Sequence, residues 1–146
     1  MGMKPWMYHD KEVEEIPENC VGFVYCIKND DTGMRYVGKK YVQTRRRKKV
    51  PGRVNRKVII AESNWKKYFG SSEFLLDDVA RLGEDKFTRE ILNFYPTKKE
   101  VTYAEIEEQF KRNVLRAKLP NGSFEYYNKS ILGKFFQINT NKDQPL

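Results

Sequence analysis

At 146 residues, with 39% hydrophobic side chains, the chain is long enough to bury the core of one compact domain. Lys and Arg number 28 against 20 Asp and Glu, a formal net charge of +8 that favours an anionic partner. There is no 18-residue apolar span and no basic start followed by an apolar stretch, so neither a membrane span nor a secretory leader is expected. The two cysteines, Cys20 and Cys26, lack metal-ligand spacing and fit no disulfide scaffold, which suggests a reducing, cytoplasmic setting. Cys26 reads as buried filler rather than a reactive thiol.

Residues 1–20 read as an N-terminal arm with aromatic anchors in "PWMY", an acidic stretch, and a turn at "IPENC". "VGFVYCI" is β-branched and aromatic, hence a strand. "KNDDTG" is turn-rich, with Gly33 suited to a positive backbone angle, and "MRYVGKK" is the returning strand of a hairpin. Lys39 to Lys57 then holds ten basic residues and no acidic one. A short helix or ordered loop is expected over residues 44–49, followed by an extended basic loop broken by Pro51 and Gly52. Ser71 or Ser72 should cap a helix whose apolar face is Leu75, Leu76, Val79 and Leu82, ended by Gly83. "KFTREILNFY" alternates Phe87, Arg89 and Ile91 and predicts a third strand. The longest helix is expected over residues 103–118, ending before Pro120 and Gly122, and "FEYYNKSILGKFF" is a closing segment of open type.

Tyr25 and Tyr36 on paired strands are placed to share a small pocket, and Gly38 beside them permits close approach of backbone or substrate. A tyrosine near a cation or a metal-bound water can orient an attacking water or take its proton, although each tyrosine alone also fits a structural aromatic. Arg45, Arg46 and Arg47 offer guanidinium forks that match phosphate oxygens. One of them facing a scissile phosphate would stabilise developing charge, while the others would grip flanking backbone. Glu105, Glu107 and Glu108 fall on the predicted long helix. An acidic side chain aimed at the pocket would repel phosphate unless a divalent cation stood between them, and one carboxylate with waters suits Mg²⁺. Otherwise these are solvated helix residues. His9, the only histidine, lies in the acidic lead-in and supports no histidine metal cluster. Asn128 could position phosphate, tie down a loop or cap a turn.

With these residues in place, the chain resembles the GIY-YIG nuclease family, and its small phage-type members in particular. The first signature triplet is Phe23-Val24-Tyr25 and the second Tyr36-Val37-Gly38, ten residues apart, with Phe where the family name has Gly. "WKKYFGSS" and "YYNKSILGKFF" strengthen the likeness. The resemblance implies an α+β fold, a small central three-stranded antiparallel sheet flanked by helices, with a basic insertion after the first hairpin. It implies a nuclease domain over residues 21–136, between the arm 1–20 and a tail 137–146. It implies hydrolysis of double-stranded DNA with one Mg²⁺ or Mn²⁺ and no small-molecule cofactor, by a phage protein in its host cell.

By the same resemblance the catalytic set is Tyr25, Tyr36, Arg46, Glu105 and Asn128. Glu105 is the metal ligand, with Glu107 as alternate, and the register among Arg45, Arg46 and Arg47 stays open. Lys39, Lys40, Arg45, Arg47, Lys48, Lys49, Arg53, Arg56 and Lys57 are expected to hold flanking DNA. No membrane partner is expected, and double-strand cuts would need a homodimer on DNA or successive nicks. The alternative is a non-catalytic basic DNA-binding or architectural protein. An RNA nuclease is a third reading.

Overall fold

The computed structural model describes residues 2–48, 51–52 and 57–137, with backbone alone for 44–48 and 57–61. In chain order the strands are β1 (Trp6–Tyr8), β2 (Lys11–Glu12), β3 (Gly22–Asn29), β4 (Arg35–Tyr41), β5 (Gln43–Lys48) and β6 (Lys57–Glu62). A 3-10 turn at Trp65–Lys67 leads to helix α1 (Glu73–Leu82), and a second 3-10 turn at Glu84–Lys86 leads to β7 (Phe87–Tyr95). Helix α2 (Lys98–Lys111) and a small hairpin, β8 (Ser130–Ile131) with β9 (Phe135–Phe136), follow.

The main sheet runs β2-β1-β7-β3-β4, with β5-β6 and β8-β9 as separate two-stranded sheets. The expected three strands are therefore one side of it, β7-β3-β4, all antiparallel, with β4 at the edge. The expectation of only three strands needs correction. The N-terminal segment, read as an irregular arm, adds β1 parallel to β7, with Trp6 opposite Arg89, and β2 antiparallel to β1. The physical reason is Trp6, which is fully buried against Phe23 and Tyr25 and donates its indole N–H to the Trp65 carbonyl at 2.7 Å. An anchor of that area holds the backbone from Trp6 onward in line with the sheet edge.

Strand β3 is buried on both faces, which its unbroken apolar run anticipates. Phe23, Tyr25 and Ile27 join one core with Trp6, Trp65, Phe69, Leu75 and Val79. Val24 and Cys26 join a second core with Val37, Ala104, Val114 and Ile131. Helix α1 thus covers one face and α2 the other. Arg89 alternates with Phe87 and Ile91 on the first core face and is itself buried. Its guanidinium donates to the carbonyls of Lys4, Lys66 and Tyr68 and stacks 4.6 Å from the Trp6 and Phe69 rings. Three acceptors and two ring faces replace part of the water it gives up, while Nε has no acceptor among the described residues.

The helix caps follow the sequence. Ser72 accepts the Leu75 amide at 3.3 Å, Thr97 accepts the Glu100 amide at 3.1 Å, and Gly83 ends α1 with φ 105°. Leu75 and Val79 are buried on the predicted apolar face of α1, but Leu76 is exposed. The long helix ends at Lys111, earlier than the expected 118. Asn113 takes φ 55°, and the Val114 amide returns to the Gln109 carbonyl, which turns Val114 and Leu115 into the second core. The expected helix or loop at 44–49 is also corrected. Over the described part, Gln43–Lys48 is a strand paired with Lys57–Glu62. Gly33 holds φ 85°, as its turn requires. Both cysteines are free and buried, and burial pushes the Cys26 thiol up to about 11. Among the described residues no helix is long and apolar enough to cross a membrane.

Candidate active site

The candidate site is built around β4, the edge strand of the main sheet. An edge leaves alternate N–H and C=O groups unpaired, and here each outward position meets a specific partner. Arg35 pairs through its backbone with Glu125 and Tyr127. At Val37 the partner is a side chain: Asn128 accepts the Val37 amide at 3.0 Å and donates to the Val37 carbonyl at 2.8 Å. Gln109 of α2 adds a second donor to that carbonyl at 3.1 Å. At Lys39 the backbone hydrogen-bonds Glu105 of α2. Asn128 thus extends the sheet by one amide, and α2 and the C-terminal segment close the edge.

On one face of β4, Tyr25 and Gly38 are cross-strand partners. A Cβ at Gly38 would stand 2.5 Å from the Tyr25 hydroxyl and 2.9 Å from Cε2 of Tyr36. The glycine is required by this close approach, with the aromatic ring covering its bare backbone. Gly70, at φ 89°, brings the loop before α1 over the same hydroxyl, with an added Cβ 3.3 Å away. The Tyr25 hydroxyl is sealed and, among the described residues, has no hydrogen-bond partner. Burial, then the neighbouring Tyr68 and Tyr36 phenols, push its pKa well above the ordinary value. Tyr36 is half-buried and reaches Ser71 Oγ at 3.3 Å. Burial raises its pKa too, and Ser71 opposes the rise.

Tyr36 and Glu105 line one cavity of about 290 Å³, together with Glu73, Gln109, Asn128 and Lys129. The elements β4, α1, α2 and the segment before β8 all contribute to its walls. Glu105 is largely enclosed, and burial raises its carboxyl pKa, opposed by Lys39, whose Nζ lies 3.9 Å from Oε1. Glu107, two residues on, points away and is exposed. Glu108 pairs with Arg112 at 2.9 Å. Among the described residues, no three His, Cys, Asp or Glu side chains gather as a metal cluster. The donor set suits a hydrated divalent ion held by one carboxylate, with phosphate oxygens and water completing the shell.

The remaining expected residues are distributed unevenly. Lys39 turns inward to Glu105 and to Thr102 Oγ1 at 3.1 Å, while Lys40 lies 4.3 Å over the Tyr68 ring with its pKa lowered by burial. Arg45, Arg46, Arg47, Lys48 and Lys57 are described as backbone in the β5-β6 ladder, opposite Ile60, Ile59, Val58, Lys57 and Lys48 respectively. Their side chains lie outside the described residues, as do Lys49, Arg53 and Arg56 altogether. Sequence reading did not find Ser71, Gly70 or Lys129 as parts of the site. Their one signal was position, inside "WKKYFGSS" and "YYNKS".

Comparison with curated proteins and with solved structures found no match. The family model described as "Putative endonuclease segE, GIY-YIG domain" matches residues 6–131, from the buried Trp6 to the first strand of the closing hairpin. The chain therefore belongs to the SegE GIY-YIG endonuclease family, and its function at the level of that family is of nuclease type.

Proposed function

We propose that this protein is an endonuclease that hydrolyses phosphodiester bonds of double-stranded DNA with one Mg²⁺ or Mn²⁺. The observation that carries the reading is the shared cavity, in which a phenol, a carboxylate and an amide from separate elements meet at an edge strand. Family membership and the net charge of +8 support it. Glu105 would hold the ion. When bound, such an ion neutralises phosphoryl charge and favours departure of the 3′ oxygen.

The protein's own groups divide the remaining work. Tyr36, which faces the cavity, orients the attacking water by hydrogen bonding, with Ser71 fixing the phenol. Burial keeps both tyrosines protonated at neutral pH, which supports orientation of water rather than storage of a phenolate. Tyr25 acts beneath Tyr36, filling the space over Gly38 and fixing the register of β4. Asn128 holds the Val37 backbone between Tyr36 and Lys39, and so sets the phenol and the carboxylate relative to each other. Arg46 stabilises the phosphoryl oxygens, and the basic β5-β6 segment grips flanking phosphates.

The test is nicking of supercoiled plasmid by the purified protein. Cleavage is expected with Mg²⁺ or Mn²⁺, and none with EDTA. Glu105→Ala should lower it about 10³-fold while leaving DNA retardation intact. Normal cleavage by that variant, with loss in Glu107→Ala instead, would overturn the metal-ligand assignment. Binding without nicking by the wild-type protein across divalent ions would favour a purely architectural protein.

A further inference from the structure

The closing hairpin has a turn that is poorly matched to its sequence. The Lys134 amide bonds the Ile131 carbonyl at 3.1 Å, and the two central residues, Leu132 and Gly133, take φ 59° and 62°. Two left-handed residues in succession make a primed turn, for which Asn-Gly is the favoured pair. Gly133 suits its place. Leu132 does not, because a Cβ-bearing apolar side chain meets a steric penalty there. Leu132 is also 57% exposed, so no core contact compensates. Strain held at an exposed apolar residue points outward, to a partner the side chain meets.

The position of the tip indicates that partner. Leu132 lines the same cavity as Tyr36 and Glu105. Phe135 and Phe136 on the returning strand are exposed, and so is Phe74, which also lines the cavity. Lys129 lies 4.8 Å over the Phe74 ring. Lys129 and Lys134 flank the hairpin turn in sequence. Apolar tips set among lysines beside a phosphate-cleaving site fit nucleic acid better than a second protein surface. The cations meet the backbone, and the apolar side chain meets the faces of bases.

We propose that the β8-β9 hairpin is a DNA-distorting wedge, with Leu132 inserted between base pairs next to the scissile phosphate. The proposal rests on the nuclease reading for the position of the cut, but not for the insertion. Unstacking one step would kink the duplex and turn the phosphate towards Tyr36 and Glu105. Phe135 would pack along the displaced base, backed by Phe110 at 5.7 Å between ring centroids.

Leu132→Asn tests this, because it suits the turn and removes the wedge. The variant should melt at a temperature equal to or above that of wild type, so loss of fold cannot explain its phenotype. Permanganate oxidises unstacked thymines, and it would be applied to end-labelled duplexes bound by protein in EDTA. Wild type should produce a reactive thymine beside the position nicked when Mg²⁺ is added. Leu132→Asn should reduce that reactivity to the level of free duplex and weaken DNA binding about tenfold, the size of one lost stacking contact. Leu132→Met should retain both.

Equal permanganate reactivity in wild type and Leu132→Asn would overturn the wedge, as would absence of DNA binding. So would a concentration-dependent dimer, seen by sedimentation, that Leu132→Asn dissolves while DNA reactivity stays unchanged. Enhanced, Leu132-dependent reactivity without any nicking would instead overturn the nuclease reading and leave the wedge standing.

Discussion

Two sides of β4, one face and the outward edge, are built on opposite physical terms. One is dry: Tyr25 packs over Gly38 and under Gly70, and an added methyl group has no room. The other is polar: Lys39, Glu105, Asn128 and Gln109 meet around the outward edge through hydrogen bonds and a long ion pair. The dry face sets position through shape, and a fault there should appear first as lost stability. The polar face carries charge at the cavity, and a fault there should appear first as lost turnover.

The largest expected effect lies on the polar face. Glu105→Ala should lower plasmid nicking by about 10³-fold, corresponding to several kcal/mol of transition-state charge stabilisation. Stability should move the other way in Glu105→Gln. A carboxyl whose folded pKa is raised by burial opposes folding once it ionises. That cost is absent below the unfolded carboxylate pKa and grows as pH rises through the folded value. Urea denaturation should therefore find Glu105→Gln as stable as wild type in acid and more stable at neutral pH. A neutral-pH loss would break the contrast between the faces.

Gly38→Ala is the corresponding test of the dry face. Overpacking should cost about 3 kcal/mol in urea unfolding. Tyr25→Phe in the same chain should recover part of this, because it removes the atom nearest the new methyl. Tyr25→Phe alone should be neutral or slightly stabilising, since the hydroxyl it removes is buried without a partner among the described residues. Asn128→Ala stands between the faces and should cost about 2 kcal/mol, by leaving the Val37 amide without its partner.

A smaller effect is expected in the metal-free protein. Burial raises the Glu105 carboxyl there, and Lys39→Gln should move it further up by removing the charge that opposes the rise, as read by a carboxyl-resolved NMR titration in EDTA. The smallest is Ser72→Ala, which should cost about 1 kcal/mol through loss of the α1 cap. Thermal melting is enough to measure it.

The dry face was legible in the sequence because it is local. Phe23 to Gly38 is one hairpin, so strand alternation and one glycine determine which side chains meet. The choice between Glu105 and Glu107 was harder, since both fit a helix. It depended on which side of α2 meets the β4 edge, a tertiary fact that places Glu105 in the cavity and leaves Glu107 exposed. Asn128 was expected to hold a turn, a loop or phosphate. Its actual partner is the backbone of Val37, 91 residues away, and no local rule connects the two. The N-terminal strand was missed for a similar reason. Three residues carry little periodicity, and β1 forms because Trp6 finds a core slot and Arg89 finds the Lys4 carbonyl. The β5-β6 ladder was missed because its first strand is nearly all charged, which suggests solvated loop, while the partner strand supplies the Ile and Val pairs.

The parallel pairing of β1 with β7 has a consequence for the chain as it leaves the ribosome. Trp6 emerges early, but the strand beside it ends only at Tyr95, and the amide that completes the edge waits for Asn128. Until then a nascent chain bears an unpaired strand and a half-built pocket, with its polybasic stretch already synthesised. Vectorial synthesis thus orders the assembly: the cavity is closed last, after most of the domain has been committed to one conformation.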